Sequence, residues 1–208
     1  MRQLTPVTLQ ESLSYLSTKD ELIKSLFADY GVPPLWERSQ SFDTLVHIIV
    51  EQKVSMQSAH AVMQRVRNMC PDMTPSRFLA IDQSALRLAG LSDRKFSYCR
   101  AVAEAMDTGK LRLASLDNMD DEQVIEALVS VRGIGKWSAG VYLMMAMRRP
   151  DAWPSGDRAL VVSYAESTGS DSVPAYAEFD LLAERWRPCR GSVARLLWHA
   201  YLERRWRS

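Results

Sequence analysis

The segment VRGIGKWSAG, residues 131–140, combines two closely spaced glycines with the start of a helical pattern. Glycine permits a positive φ angle and lets another molecule approach the backbone closely. The N–H groups of Gly133, Gly135 and Lys136 would point outward at the N-terminus of the next helix, where backbone dipoles can hold one phosphate. A plain glycine-stopped turn between two core helices is the alternative for the fragment alone.

Two predicted helices flank this segment and position its glycines. One ends near Val131 and the next begins by Lys136, so roughly four residues turn the chain into a tight hairpin. Ile134 lies between the glycines and can fill the small core of that hairpin. The hairpin would therefore present its backbone N–H groups on a rigid support.

The charge of the chain limits how it can bind a polyanion. Lys and Arg number 26 and Asp and Glu 25, which gives a formal net charge of +1, so a polyanion must be held by a local feature. One candidate is the C-terminal stretch, with seven arginines from Arg185 to Arg207. The same stretch also fits the solvated face of an amphipathic helix, and charge alone leaves both interpretations open.

The side chains that most often bind metals are scattered along the chain: Cys70, Cys99, Cys189, His47, His60 and His199. This spacing argues against an iron–sulfur cluster, a structural zinc site and a disulfide framework, and it suits a reducing compartment. The sequence contains no run of 18 apolar residues and no signal-peptide pattern. We therefore expect a cytoplasmic protein that does not bind membranes.

The hydrophobic pattern is helical nearly throughout, without strand alternation or a glycine-rich nucleotide loop. Residues Thr8 to Glu11 have the form of a capping box, and Ser41, Ser55 and Ser92 are placed as further helix caps. Pro75 follows a threonine at a predicted first helical position. The pattern predicts an all-α fold of about ten to twelve short helices, arranged as two helical lobes with a cleft between them.

Three motifs resemble the helix–hairpin–helix (HhH-GPD) DNA glycosylase superfamily, and in particular its 3-methyladenine DNA glycosylase II branch. They are the hairpin segment, FDTLVHIIVEQKVSMQSAHAVMQRV (Phe42 to Val66) and RWRPCRGSVARLLWHAY (Arg185 to Tyr201). The resemblance implies a central lobe at 42–150, with the hairpin at 131–135, and a terminal lobe formed by 1–41 and 151–208. It also implies the compact form, without the N-terminal β-rich domain of some members.

The resemblance implies a hydrolase that cuts the N-glycosidic bond of a base flipped out of the duplex. The sugar gains oxocarbenium character, which a carboxylate beside C1′ can stabilise while it orients or deprotonates the attacking water. The family carries an essential aspartate at the interval where Asp157 lies, 22 residues after Gly135. Asp157 also fits the N-cap of the next helix, a position compatible with catalysis, whereas Asp151 lies earlier in the same loop and could cap a helix or bind a lobe partner.

The residue two positions after the second hairpin glycine separates hydrolases from lyases in this family. Bifunctional relatives carry a lysine nucleophile there, and this chain has Trp137. Lys136 lies one residue earlier, about 100° around the helix. The resemblance therefore implies a monofunctional enzyme that uses water as nucleophile and forms no Schiff base.

Alkylated purines of the 3-methyladenine and 7-methylguanine type carry positive charge and are good leaving groups. Electron-rich aromatic rings would favour such bases through cation–π contact. The resemblance places Trp137 and Trp198 at aromatic positions of the base pocket, with Val141 and Tyr142 nearby. Core packing is the alternative for both tryptophans.

The resemblance also suggests DNA contacts outside the hairpin. Gln52 would contact the duplex opposite the lesion, although an exposed helix end is an equal alternative. Lys53 stands where relatives often carry Gln or Leu to fill the gap left by the flipped base. Ser55 is foremost a helix cap that could also touch phosphate, and Arg158 replaces a tyrosine of some relatives and could reach a phosphate.

No organic cofactor is implied, but a structural Na⁺ or K⁺ ion could be bound by the carbonyls of Val131 and Ile134. The expected partner is double-stranded DNA with a damaged base, bound by a nucleoid-associated monomer. Three alternatives remain: a glycosylase for deaminated or mismatched bases, a non-catalytic hairpin DNA-binding module, and a helical protein-interaction scaffold. Asp157 disfavours the binding module because phosphate binding alone does not need that carboxylate.

Overall fold

The computed structural model describes residues 3–206, and this part of the chain is helical with no strand. The α-helices are α1 (Pro6–Ser17), α2 (Glu21–Tyr30), α3 (Phe42–Glu51), α4 (Met56–Met69), α5 (Pro75–Leu79), α6 (Gln83–Leu88), α7 (Asp93–Asp107), α8 (Asp121–Val129), α9 (Lys136–Met145), α10 (Arg158–Thr168), α11 (Tyr176–Ala183) and α12 (Arg190–Trp206). Two 3-10 helices cover Leu113–Asn118 and Glu184–Trp186. The predicted all-α fold is confirmed.

Serine side chains cap three of these helices, as the sequence predicted. The hydroxyl oxygen of Ser41 accepts from the backbone N–H of the residue three positions on at 3.3 Å, and those of Ser55 and Ser92 do the same at 3.2 and 3.4 Å. Each bond satisfies one of the N–H groups that a helix start leaves without an intrahelical acceptor. The three predicted helix starts are therefore confirmed.

The capping box predicted at Thr8 is wrong by three residues. Thr5 is the N-cap of α1, and the box joins Thr5 to Thr8. Pro6 occupies the first helical position, where its fixed φ favours a helix and its missing N–H costs nothing. The helix therefore starts one turn earlier than the TLQE pattern indicated.

The chain divides into two compact units. The internal unit comprises Arg38–Tyr142, and the terminal unit comprises residues 3–37 and 143–206 of the described chain. The first boundary lies just before α3 and the second lies within α9. The central lobe predicted from the sequence comprises 42–150, whereas the internal unit of the structure comprises Arg38–Tyr142.

The core of the internal unit is built around α3, which packs against α4 and α7. Six apolar side chains of α3 are almost completely buried: Phe42, Leu45, Val46, Ile48, Ile49 and Val50. Burial of each such side chain contributes about 1.5–3 kcal/mol. The end of α3 is thereby fixed, and Lys95 of α7 adds a hydrogen bond from its Nζ to the Val50 carbonyl at 2.7 Å.

The core of the terminal unit is built around α12, which packs against α10, α2 and α1. The first residues of α12 lie against the segment that follows α9. A Cβ atom on Gly191 would lie 2.9 Å from the carbonyl oxygen of Pro150 and 3.0 Å from that of Arg149. Glycine is therefore needed here, because any larger residue would push α12 away from this segment.

No helix within residues 3–206 combines the length and the apolar character that crossing a membrane requires.

Candidate functional site

Asp157 lies directly before α10 and its side chain accepts hydrogen bonds from within the terminal unit. Its Oδ1 atom accepts from the backbone N–H of Leu160 at 3.0 Å and from the indole Nε1 of Trp198 at 3.1 Å. The residue is 9% exposed. The predicted N-cap role is therefore confirmed, and the second donor fixes the carboxylate from the side of α12. The catalytic role of Asp157 stays a prediction.

The segment that leads to Asp157 is anchored at two places within the terminal unit. Asp151 accepts from the backbone N–H of Arg190 at 3.2 Å and pairs with its Nη2 atom at 2.8 Å, so it caps α12 as the sequence suggested. Trp153 donates through its indole Nε1 to Asp180 of α11 at 2.8 Å. A carboxylate at the end of such an anchored segment keeps a fixed place.

The tryptophan that contacts the Asp157 carboxylate is itself packed against a second tryptophan of the terminal unit. The ring of Trp198, which donates to Asp157, packs edge to face against Trp36 with centroids 6.2 Å apart and an interplanar angle of 69°. Both rings are half-buried. Sequence reasoning missed Trp36, although the segment PPLW lies just before the first motif. Trp198 was predicted as a wall of the base pocket, and the structure gives it a bond to the carboxylate.

The hairpin lies in the internal unit between α8 and α9. Gly133 has a φ of 98°, and a Cβ atom placed there would overlap the Cβ and Cγ atoms of Tyr98 in α7. Ile134 is buried, and its backbone N–H donates to the Val131 carbonyl at 3.1 Å. Glycine at 133 is therefore required by the fold, and Ile134 fills the hairpin as predicted.

Gly135 differs from Gly133 because nothing inside the protein requires a glycine there. Its φ lies outside the left-handed region and a Cβ atom would meet no atom within 4 Å. Gly135 and Lys136 are exposed, and α9 begins at Lys136. The open face of the hairpin is thus the N-terminus of a ten-residue helix, the kind of position that binds anions.

Gln52, at the end of α3, holds this hairpin from behind. Its Nε2 atom donates to the Gly133 carbonyl and to the Ser138 hydroxyl, both at 3.0 Å. The side chain is half-buried, so the description of Gln52 as an exposed helix end is wrong. Its contact with DNA stays a prediction.

Replacement of Gln52 by leucine removes both donors at little cost in side-chain volume. We expect the free energy of unfolding to fall by about 1–2 kcal/mol, since two partly buried acceptors lose their donor, and duplex DNA to bind more weakly. Thermal unfolding and a binding titration measure the two effects. Gln57→Leu on the exposed face of α4 is the matched control. Equal unfolding temperatures of the two variants would show that the hydrogen bonds of Gln52 do not stabilise the hairpin.

The carbonyls proposed for a monovalent cation lie at the turn of the hairpin. The Val131 carbonyl already accepts from Ile134, which leaves a second lone pair on the oxygen. Across residues 3–206, no group of three or more His, Cys, Asp or Glu side chains is arranged to hold a metal ion. Cation binding by Val131 and Ile134 stays a prediction.

The residues predicted to line a base pocket have different exposures. Trp137 is half-buried in the first turn of α9. Val141 and Tyr142 are 2% and 0% exposed, and burial raises the pKa of the Tyr142 hydroxyl well above its usual value. Neither offers surface to a ligand in this structure, and their place in a base pocket stays a prediction.

The other predicted DNA contacts are exposed residues near helix ends. Lys53 and Ser55 are exposed in the turn between α3 and α4, and Lys53 has a φ of 56°. Arg158 is exposed as the first residue of α10, next to Asp157. All three side chains are accessible to a partner from outside.

Most C-terminal arginines within the described part of the chain are engaged in ion pairs. Acidic residues pair with five of them: Arg185, Arg187, Arg190, Arg204 and Arg205. Arg207 lies outside the described residues. Arg185, Arg187 and Arg205 stay partly exposed within these ion pairs, which is compatible with a solvated face, and anion binding by this stretch stays a prediction.

Arg195 is the exception among these arginines. It is 0% exposed and donates to the carbonyls of Leu35, Gly191 and Met144. Burial lowers the pKa of its guanidinium to about 10. A planar group with five donors can join three chain segments at one point, so Arg195 links the end of α9, the start of α12 and the segment after α2.

Comparisons with known proteins agree with this architecture. The family model "HhH-GPD superfamily base excision DNA repair protein" matches residues 46–188. The chain is 24% identical to DNA-3-methyladenine glycosylase 1 of Schizosaccharomyces pombe over 199 residues, which cover 92% of this chain and 87% of the relative.

Two solved structures share the fold. The S. pombe 3-methyladenine DNA glycosylase in complex with abasic DNA aligns with a TM-score of 0.85 at 24% identity, over 90% of this chain and 95% of that one. DNA-3-methyladenine glycosidase from Bacillus halodurans aligns with a TM-score of 0.67 at 26% identity, over 88% and 90% of the two chains. The helical fold, the hairpin and the match over most of the chain establish that this protein belongs to the HhH-GPD superfamily of base excision DNA repair proteins.

Proposed function

We propose that this protein is a monofunctional DNA glycosylase that hydrolyses the N-glycosidic bond of alkylated purines flipped out of double-stranded DNA. The observation that carries this proposal is the Asp157 carboxylate, which an N-cap bond and an indole N–H hold in a largely buried position. The two relatives with solved structures are named a 3-methyladenine DNA glycosylase and a DNA-3-methyladenine glycosidase, and these names support the class of substrate.

Asp157 is suited to the reaction because the leaving base needs little help. A cationic alkylated purine leaves as a neutral base, and the charge that develops on the sugar is positive. A carboxylate fixed before bond cleavage stabilises that charge without reorganisation and can orient the attacking water. Arg158, exposed beside it, would bind a phosphate of the flipped nucleotide.

The hairpin would bind the DNA backbone in this proposal. Its open face carries Gly135 and Lys136 at the start of α9, and Gln52 fixes it from the protein side. The fold leaves space at Gly135 that it does not use, and close approach of a phosphate would explain the glycine. A Na⁺ or K⁺ ion on the carbonyls of Val131 and Ile134 would extend this contact.

Absence of a lysine nucleophile at the position of Trp137 predicts that no covalent intermediate forms. We expect borohydride to trap no enzyme–DNA adduct during turnover on methylated duplex DNA, since Lys136 is the exposed first residue of α9 one position away. Gel electrophoresis with a bifunctional glycosylase as positive control makes the measurement. A trapped adduct would refute the monofunctional mechanism.

The substrate class is tested with duplexes that carry one modified base each. Single-turnover cleavage is compared for 7-methylguanine, 3-methyladenine, hypoxanthine and uracil, with abasic sites revealed by alkali. We expect the methylated purines to be released fastest. Faster release of uracil or hypoxanthine would replace the proposal by a glycosylase for deaminated bases.

A further inference from the structure

Trp36 has an unusual backbone conformation for a large side chain. Its φ is 47°, in the left-handed region that bulky L-residues rarely adopt. Residues in such conformations persist only where the surroundings hold them, and they are frequent at functional sites. The segment after α2 that contains Trp36 is irregular in structure, so local propensity does not explain the conformation.

The residues on either side of Trp36 are each anchored within the terminal unit. The Leu35 carbonyl accepts from the Nε atom of buried Arg195 at 3.1 Å. Glu37 pairs with Arg148 at 3.1 Å. These two anchors hold the backbone so that the indole of Trp36 lies against α12.

The indole ring of Trp36 contacts two consecutive residues of α12. Its centroid lies 6.2 Å from that of Trp198 and 6.4 Å from that of His199, with interplanar angles of 69° and 63°. Edge-to-face packing of this kind orients both rings because the positive edge of one faces the negative surface of the other. Trp198 in turn donates its indole N–H to Asp157.

We propose that Trp36 is a positioning residue, which fixes the indole plane of Trp198 so that its N–H holds the Asp157 carboxylate for reaction. This inference rests on the proposed glycosylase function. Trp36 acts through Trp198, so its loss slows the chemical step and leaves DNA binding nearly unchanged.

The test uses three single variants. Trp36→Gly removes the ring while glycine adopts the positive φ without strain, and Trp36→Phe restores an aromatic ring. Trp198→Phe keeps a ring and removes the N–H donor. For each variant, the measurements are the single-turnover rate on a 7-methylguanine duplex, the Kd for the same duplex and the unfolding temperature. Trp206→Ala, at an indole that is 74% exposed, is the control.

We expect Trp36→Gly to slow base release by about tenfold or more, as misplaced catalytic groups do, with a Kd within about twofold of wild type. Trp36→Phe should recover most of the rate, and Trp206→Ala should match wild type. The double variant Trp36→Gly/Trp198→Phe should be no slower than Trp198→Phe alone, since both changes remove the same hydrogen bond.

An unchanged rate in Trp36→Gly, a loss confined to Kd, or multiplied rate effects in the double variant would each overturn the positioning role. In those cases wild type still releases the methylated base and the proposed function stands. A wild type that releases no base would overturn the proposed function, and this inference with it.

Discussion

Replacement of Asp157 by asparagine should reduce the single-turnover rate of base release by on the order of 10²–10³-fold or more, the usual effect of removing a preorganised electrostatic group. Affinity for duplex DNA should stay close to that of wild type. The physical reason is that asparagine keeps the shape of the side chain and lacks the negative charge that the sugar cation requires.

This substitution separates the two roles of the residue. Asparagine is as good an N-cap as aspartate, and its amide oxygen can still accept from Leu160 and Trp198, which both donate to Asp157 Oδ1. The unfolding temperature should therefore hardly change. Asp171→Asn, an exposed carboxylate of the same unit, controls for the loss of one charge. Activity that survives in Asp157→Asn would limit Asp157 to capping α10.

Replacement of Gly135 by aspartate should weaken binding to duplex DNA of any sequence by roughly tenfold or more. The new side chain would occupy the open face of the hairpin and place a negative charge where a phosphate should lie. The logarithmic salt dependence of Kd should decrease by about one phosphate contact. Titrations of labelled duplex at several salt concentrations measure both effects.

Two further glycine variants show whether the effect comes from the partner or from the fold. Gly135→Asn adds the same volume without charge, so it isolates the steric part, and neither change at 135 should lower stability because that position is open. Gly133→Ala should destabilise the protein, since its Cβ overlaps Tyr98 and its φ is positive. Unaltered affinity in Gly135→Asp would refute phosphate binding by the hairpin.

The helical fold was predictable because its signals are local. Helix starts are predictable at Ser41, Ser55 and Ser92 because a serine hydroxyl accepts a hydrogen bond from the backbone N–H three residues later. The start of α1 was mispredicted because two capping patterns overlap at Thr8, and the proline at position 6 decides between them. Asp157 was identified as a candidate because the resemblance implies an aspartate at this interval from the hairpin, and its cap role was predicted from its place before α10.

The parts of the site that sequence reasoning missed depend on contacts between distant residues. Nothing near Gln52 in sequence shows that its amide reaches Gly133. Trp36 has no pattern around it that predicts a positive φ or a ring contact with Trp198. The arginines after residue 184 suggested an anion site because the acids that pair with them, such as Asp151 and Glu166, come from other segments.

Release of free bases from methylated duplex DNA is the measurement that tests the central claim most directly. Purified protein is incubated with DNA treated with a methylating agent, and the soluble products are separated by chromatography. The account predicts intact 3-methyladenine and 7-methylguanine in solution and abasic sites in the DNA. Intact methylated DNA to which the protein remains bound would contradict it and would leave a DNA-binding protein without glycosylase activity.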